Sequence, residues 1–397
     1  MSEWKKTRLG NLISIKGGFS YKGEFIGKGK ALLLGMGCVS FSENFLHSGA
    51  RLYSGHVPNT FVAKPNDIVL ATRQQSDNMP ILGVPAIIPE SLKNETVIVG
   101  TNLYKVENES EVSNNFLFWL LKNIDYRNHI DSCAKGSTVK MITKDAVESY
   151  EFLCPPEKER NLISGTLWSI NNKIDLLHRQ NATLEKMAET LFRQWFVEEE
   201  KEGWKEGILD DILTVKGGST PITGEPAYWN GTIHWTSPRD ITNLNGIYLF
   251  DTERKITKLG LSKISSGLLP KGTLLMSSRA PVGVLAFSEV PIAINQGYIA
   301  ILDNKGYSKE FIYLWLKSNI DTVHSFSNGS TFMEISKSTF KTLQLLIPPK
   351  QTLNDFQLLI KPFFEKIKSG QSQICTLKAL RDTLLPRLMN GEVTVEI

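Results

Sequence analysis

Residues 136–156 read GSTVKMITKDAVESYEFLCPP, and residues 329–349 read GSTFMEISKSTFKTLQLLIPP. The two segments align without a gap at a spacing of 193 residues and share the Gly-Ser-Thr start and both closing prolines. The beginnings of the halves repeat as well, because WKKTRLGNLISIKGG at 4–18 returns as WKEGILDDILTVKGG at 204–218. The chain is therefore an internal duplication, and a protein with two similar halves is predicted to recognise a two-part target.

The composition fits two ordinary globular domains with additional helical segments. The chain has 397 residues, 41% of them hydrophobic and 22% charged, and its formal net charge is +4. Such a mildly basic protein is compatible with a polyanionic partner without requiring one. The four cysteines form no CxxC pair, which favours free thiols in a reducing compartment. With no leader-like or membrane-spanning stretch in the sequence, we expect a cytoplasmic protein.

A long helix is predicted after each copy of the repeated segment. Apolar residues recur there with 4,3 spacing, which is the heptad pattern of a coiled coil. A helix of about 50 Å needs a partner helix to cover its apolar stripe, and the obvious partner is its own repeat. The predicted seam comprises Ile163, Leu167, Ile170, Ile174, Leu177, Asn181, Leu184 and Leu191 in the first helix, and Ile360, Phe363, Ile367, Ile374, Leu377, Leu384 and Leu388 in the second. The alternative is two unrelated amphipathic helices, each covering its own domain.

Three seam positions are not apolar, and a proline lies inside the second helix. Asn181 falls at a seam position, where a buried amide can fix register and orientation. Gly370 and Arg381 are expected to weaken the second stripe locally. Pro362 removes one backbone donor, which predicts a kink or an early break in the second helix.

The globular halves mix short apolar strands, turn signals and one short helix each, which predicts α+β domains. We expect two α/β-type recognition domains joined by two long antiparallel coiled-coil helices, with the duplication giving pseudo-twofold symmetry. The predicted boundaries are 1–155 for the first domain, 156–200 for the first helix, 201–348 for the second domain, 349–390 for the second helix and 391–397 for a C-terminal tail.

This order of domains and helices resembles the specificity subunit of type I restriction-modification systems. The resemblance covers essentially the whole chain and includes KGG at 16–18 and 216–218, SSRAPVG at 277–283 and LLPRLMNGEV at 384–393. It implies that each globular half is a target-recognition domain for one part of a bipartite DNA site. It also implies that the helices dock two methyltransferase subunits, joined by restriction/translocase subunits. S-adenosylmethionine is then expected on the methyltransferase, with no cofactor on this chain.

Several polar residues are candidates for DNA contact. Arg can pair bidentately with guanine and Gln with adenine, so Arg73, Gln74 and Gln75 are predicted base readers, with Arg279 in the matching loop and Arg239 as a further candidate. Lys16, Lys140 and Lys216 are candidate phosphate contacts. Each prediction has an alternative: the arginine and glutamine cluster could be a solvated loop, and the glycines beside Lys16 and Lys216 could form an ordinary tight turn.

Two other functions remain open at this level. Pro238-Arg239-Asp240 followed by Glu253-Arg254-Lys255 has the form of a metal-dependent nuclease site, PD…ExK, although the first half offers no equivalent. The chain could also be a scaffold that binds only proteins. We favour a non-catalytic DNA-recognition subunit. If each half carries one reader and one helix, residues 1–200 alone are expected to form a homodimer on a symmetric site.

Overall fold

A computed structural model describes residues 4–74, 80–198, 203–279, 281–303, 305–327 and 333–395. The chain divides into two compact units: unit 1 is Met1–Asn172 with Leu377–Ile397, and unit 2 is Lys173–Thr376. Each unit contains one globular half and segments of both long helices, and both mix helices with sheets, which confirms the predicted α+β class. Among the described residues, no helix is long and apolar enough to cross a bilayer.

The described residues of unit 1 form twelve strands and several short helices. The strands are β1 Lys5–Arg8, β2 Ile13–Gly17, β3 Ile26–Leu34, β4 Arg51–Tyr53, β5 Val62–Ala63, β6 Ile68–Ala71, β7 Arg73–Gln74, β8 Pro85–Ile87, β9 Val97–Val99, β10 Leu103–Asn108, β11 Lys140–Met141 and β12 Glu151–Cys154. The helices are α1 Asn114–Lys122, α2 Ile124–Cys133, α3 Lys144–Glu148 and the long α4 Glu157–Arg193, which continues into unit 2.

Unit 2 follows the same order of elements. Its strands are β13 Lys205–Ile208, β14 Thr214–Lys216, β15 Trp229–Thr236, β16 Tyr248–Leu249, β17 Arg254–Ile256, β18 Leu274–Ser277, β19 Leu285–Ser288, β20 Ile292–Ile294, β21 Tyr298–Asp303 and β22 Gln344–Ile347. Its helices are α5 Leu209–Ile212, α6 Pro238–Thr242, α7 Lys258–Leu261, α8 Lys309–Ser318, α9 Ile320–Ser325, α10 Lys337–Lys341 and the long α11 Lys350–Met389, which continues into unit 1. A π-helical turn, Gln194–Glu198, follows α4.

The two units are built on the same pair of sheets. The larger sheet has the order β2-β10-β6-β8 in unit 1 and β14-β21-β18-β19-β16 in unit 2. The smaller sheet has the order β4-β3-β9-β5 in unit 1 and β17-β15-β20 in unit 2. In both smaller sheets, the long strand pairs in parallel with a later strand, β3 with β9 and β15 with β20. The duplication therefore extends through the globular halves, although their loop sequences have diverged.

A buried helix links each larger sheet to the long helices. In α1, every side chain from Phe116 to Lys122 is buried, and in α8 every side chain from Phe311 to Leu316 is buried. Residues of α1 share one apolar cluster with Ile13, Ile163 and Leu385. The helix is apolar on all sides because it contacts the sheet on one side and the long helices on the other.

Helix α11 runs unbroken through Pro362, so the early break expected at this residue is wrong. A proline in a helix removes the donor to the carbonyl four residues earlier, here that of Leu358. Leu358 is 74% exposed and Pro362 is exposed, so water can satisfy that carbonyl. The lost hydrogen bond therefore costs little at this position.

The long helices pair antiparallel within each unit. In unit 2 the ring of Phe196, just after α4, lies 4.7 Å from the ring of Phe356 near the start of α11. In unit 1, Ile163 near the start of α4 shares a cluster with Leu388 near the end of α11. All fifteen predicted seam residues are buried or half-buried, and their individual contributions remain predictions.

The polar and small seam residues fit one another. A Cβ atom added to Gly370 would lie 2.5 Å from Oδ1 of Asn181, so the asparagine occupies the space that the glycine leaves. Arg381 is only 4% exposed, and its Nη1 donates to Oδ1 of Asn171 at 3.1 Å. Both positions are therefore packed parts of the helix pairing rather than the local weaknesses that the sequence predicted.

Lys122 is a buried ammonium at the end of α1. Its Nζ donates to the carbonyls of Phe41 at 3.3 Å and Glu43 at 2.8 Å. Burial, with the positive charges of Arg381 and Lys378, lowers the pKa of Lys122 to about 7, although the carboxylates of Glu43 and Asp382 act in the opposite direction. Between this pKa and the ordinary pKa of lysine, the unfolded chain keeps a proton on Lys122 that the folded chain has released.

We therefore expect the stability contributed at Lys122 to rise as the pH increases from about 7 towards 10, by up to about 1.4 kcal/mol per pH unit. Urea unfolding of the full chain and of Lys122→Met at several pH values measures this. The difference in unfolding free energy should shift in favour of the unmodified chain by at least about 2 kcal/mol between pH 7 and 10. A constant difference over this range would mean that the buried ammonium keeps its proton.

Candidate nucleic-acid interface

In the first half, the end of β2, which carries Lys16, and the end of β6, which precedes Arg73, lie at the same end of the larger sheet. Antiparallel pairing places Gly17, at the end of β2, opposite Tyr104 of β10, and Ala71, at the end of β6, opposite Leu103. The ends of β2 and β6 therefore lie together at the start of β10. The loop after β6 joins this group, since the amide of Thr72 donates to the carbonyl of Asn102 at 3.1 Å.

The structure brings Arg73 and Lys140 together at this end. Strands β7 and β11 pair antiparallel, with Arg73 opposite Met141 and Gln74 opposite Lys140. Arg73 is exposed and Lys140 is half-buried. An exposed guanidinium beside a strand end can reach a base edge or a phosphate. The roles of both residues in DNA contact remain predictions.

The glutamines differ from Arg73 in their surroundings. Gln74 is only 7% exposed, and its Oε1 accepts a hydrogen bond from the amide of Leu82 at 3.4 Å. In this arrangement the Gln74 side chain contacts the backbone of Leu82 instead of projecting outwards, and base contact would require the side chain to move. Gln75 lies outside the described residues.

Unit 2 repeats the arrangement with one electrostatic difference. The amide of Ser278 donates to the carbonyl of Gly297 at 2.8 Å, and Arg279 forms an isolated antiparallel bridge with Glu334. The Arg279 side chain is 49% exposed, and its Nε lies 2.9 Å from Oε1 of Glu334. In the repeat alignment the place of Glu334 is taken by Met141 in the first half. The Nε of Arg279 is therefore paired with a carboxylate, whereas Arg73 lies opposite a methionine.

The candidate phosphate lysines have protein partners in this structure. Nζ of Lys16 lies 3.5 Å from a carboxylate oxygen of Glu107, and Nζ of Lys216 donates to the carbonyl of Ser266 at 3.3 Å. Both contacts are long and can be exchanged for a phosphate, so the phosphate role of the two lysines stays a prediction.

The candidate nuclease motif forms structural contacts. Asp240 is a helix cap, because its Oδ2 accepts from the amide of Ser237 at 2.8 Å and its Oδ1 accepts from the amide of Glu253 at 3.0 Å. Arg239, the further base-reading candidate, is exposed, with Nε 4.0 Å from Glu253, and Lys255 pairs with Asp251 at 2.8 Å. In the part of the chain that the structure describes, no three His, Cys, Asp or Glu side chains are grouped to hold a metal. The geometry therefore gives the nuclease alternative no support.

A basic bulge on the smaller sheet is a further candidate for phosphate contact that is absent from the sequence predictions. Pairing between β3 and β4 shifts between Ile26 and Ala31, so the four residues Gly-Lys-Gly-Lys between them leave the ladder. Lys28 and Lys30 are exposed there. Strand β15 has the corresponding shift between Trp229 and Ile233, with the neutral sequence Asn-Gly-Thr in the bulge. Alternating glycine and lysine at 27–30 is the signal that could have identified this candidate phosphate contact.

Comparison with known proteins gives consistent results for both halves. The family model described as "Type I restriction modification DNA specificity domain" matches residues 1–186 and again residues 201–376. The HindI specificity subunit of Haemophilus influenzae is 23% identical, over 99% of this chain and 100% of that protein. The MjaIX specificity subunit of Methanocaldococcus jannaschii is 33% identical over 47% of this chain, a match that extends over only 43% of that protein.

A solved structure shows the same fold. The crystal structure of the S subunit of a type I restriction-modification system from M. genitalium superposes with a TM-score of 0.60 at 17% sequence identity. The match covers 97% of this chain and 96% of that one. At this identity the likeness concerns the fold, and it includes both globular halves and both long helices.

Proposed function

Because the chain belongs to the family of type I restriction-modification DNA specificity proteins, we propose that it reads a bipartite, asymmetric DNA sequence with one half-site for each globular domain. The observation that carries this proposal is the repeated loop cluster at the end of the larger sheet. Its backbone is alike in the two units, but Arg73 lies opposite Met141 and Arg279 opposite Glu334. A shared scaffold with different side chains suits two readers with different half-sites.

The rest of the assembly follows as part of the same proposal. The chain is the non-catalytic specificity subunit in the cytoplasm, and its paired long helices dock two methyltransferase subunits. Those subunits carry S-adenosylmethionine, and restriction/translocase subunits complete the complex. Co-expression with the methyltransferase, followed by mapping of methylated bases, identifies the sequence read. Methylation that follows no bipartite sequence, or that is unchanged without this chain, would contradict the proposal.

Arg73→Ala and Arg279→Ala are each expected to relax recognition of one half-site only. A lost bidentate base contact costs about 1–3 kcal/mol at one position, which is a change of roughly 5- to 150-fold, whereas a lost phosphate contact weakens binding to all sequences alike. Competition binding of the methyltransferase complex with duplexes altered in either half measures this. Arg193→Ala is the matched control, because that arginine is 62% exposed on α4 beside Glu198.

The same binding measurement, repeated at several salt concentrations, distinguishes a DNA reader from a scaffold that binds only proteins. Neutralisation of phosphates gives an affinity that falls steeply with salt concentration. Uniform weakening by both variants would assign the two arginines to the phosphate backbone. Affinity for duplex that does not change with salt would favour the scaffold.

A further inference from the structure

Both units carry a lysine at the same place on the buried helix. Lys122 ends α1 with its Nζ 5.1 Å from the ring of Phe118, and Lys317 lies near the end of α8 with its Nζ 5.7 Å from the ring of Tyr313. The same spacing of four residues in both helices identifies the lysines as equivalent positions of the duplication. What each lysine meets on the adjacent long helix differs completely.

In unit 2 the long helix supplies carboxylates. Lys317 pairs with Glu185 and, at 2.6 Å, with Glu189, both on α4. The hydroxyl of Tyr313 also donates to Glu185 at 2.6 Å. Between the two glutamates lies Ala188, which is 0% exposed within the apolar core. This face of α4 is therefore acidic, with a small residue at its centre.

In unit 1 the long helix supplies cations. Lys378 of α11 lies 2.9 Å from the carboxylate of Glu43. Arg381 donates to the carbonyl of Ser42 at 3.4 Å and pairs with Asp382 at 2.9 Å. Lys122 is buried beside them and donates to the backbone of residues 41 and 43. This face of α11 is therefore mainly basic, with a large residue at its centre.

The two faces occupy equivalent positions in the repeat. At a spacing of 193 residues, Glu185 corresponds to Lys378, Ala188 to Arg381 and Glu189 to Asp382. The first position carries a negative side chain in the first half and a positive one in the second. The next position carries a small residue in the first half and a large one in the second. We infer that these two triplets determine the pairing of the halves: each half of the chain pairs with the other half, and identical halves do not pair.

The charges oppose a pair of first halves. In such a pair, the Glu185 and Glu189 face would take the place of the α11 face against Lys122. One ammonium would then lie among three carboxylates, counting Glu43, where unit 1 now has three cations and two carboxylates. Glu43 would lose its ion pair with Lys378 and face a carboxylate at that position instead, and like charges a few ångströms apart repel each other. In a pair of second halves, Lys317 would instead face Lys378 and an arginine.

Side-chain size opposes both pairs as well. In a pair of first halves, an alanine would replace Arg381, and the hydrogen bonds from Arg381 to the carbonyl of Ser42 and the amide oxygen of Asn171 would be lost. In a pair of second halves, an arginine would have to enter the packed space of Ala188, where a larger side chain meets a filled core. Charge and side-chain size at the two triplets therefore oppose the homodimer of residues 1–200 that the repeat alone predicts.

A cleavable full chain tests the pairing. A protease site placed in residues 199–202, with the protease co-expressed, releases both halves from each folded chain, and native mass spectrometry identifies the pairs. We expect pairs of unlike halves only. The triple variant Lys378→Glu, Arg381→Ala, Asp382→Glu gives the second half the acidic face, so pairs of second halves should then appear. Pairs of like halves without these substitutions, or their absence with them, overturn the inference.

The uncleaved chain provides a second test. Lys378→Glu installs the residue that the first half carries at this repeat position, beside Glu43. We expect it to lower the thermal midpoint by at least about 3 °C, and Glu43→Lys should restore at least half of that loss. In unit 2, Glu185→Lys should likewise lower the thermal midpoint, and adding Lys317→Glu should restore at least half of that loss. Loss without recovery in both pairs would show that charge does not select the partner.

Discussion

Gln371→Ala is expected to lower the free energy of unfolding by about 3 kcal/mol or more, because it leaves three backbone groups without their partner. Gln371 projects from α11 and is 3% exposed. Its Oε1 accepts from the amides of Ile247 at 3.1 Å and Tyr248 at 3.0 Å, and its Nε2 donates to the carbonyl of Tyr248 at 2.6 Å. One side chain thus satisfies both polar sides of the backbone at β16.

The same helix offers a matched control for this substitution. Gln373 is exposed, and its Nε2 donates to Oγ of Ser369, on the same helix, at 3.2 Å. Gln373→Ala removes the same atoms from the same helix, and we expect it to change the free energy of unfolding by less than about 0.5 kcal/mol. Urea unfolding of the full chain compares the two. Equal losses would mean that the effect does not arise from the contact with β16, because alanine has a higher helix propensity than glutamine.

The contact of Gln371 also shows which part of the fold the sequence can predict. The apolar seam follows from a spacing that repeats at 193 residues, and a period is a local signal that needs no tertiary information. Gln371 lies one residue from a seam position, and nothing nearby in the sequence distinguishes it from Gln373. Its partners are more than 120 residues away, so its role becomes visible only after the two elements are brought together.

The interruptions of the seam illustrate the same limit. Asn181 and Gly370, considered separately, are a polar and a small residue in an apolar stripe. Their fit becomes apparent only when the antiparallel pairing places them face to face. Asp240 is a comparable case at the candidate site, because a Pro-Arg-Asp sequence suits either a metal ligand or a helix cap. In the structure Asp240 is a helix cap, because its carboxylate accepts hydrogen bonds from the amides of Ser237 and Glu253.

The largest effect at the candidate interface is expected from the second glycine of the Lys-Gly-Gly motif. A Cβ atom on Gly18 would lie 2.0 Å from the carbonyl oxygen of Gly100, and one on Gly218 would lie 1.8 Å from that of Ile294. Backbone cannot move aside as a flexible side chain can. We therefore expect Gly18→Ala to lower the free energy of unfolding by about 3 kcal/mol or more, as a severe case of overpacking, measured by urea unfolding of the full chain.

Gly17→Ala separates this steric role from phosphate binding, because a Cβ atom on Gly17 would meet nothing within 4 Å. We expect it to leave stability within about 0.5 kcal/mol of the unmodified chain. If the motif instead held a phosphate through its backbone amides, Gly17→Ala would weaken binding to all duplexes while the fold stayed intact. The close approach of Gly18 to Gly100 favours the steric role, since it accounts for the glycine at this position without a ligand. Two stable alanine variants would contradict that explanation and return the motif to the candidate phosphate contacts.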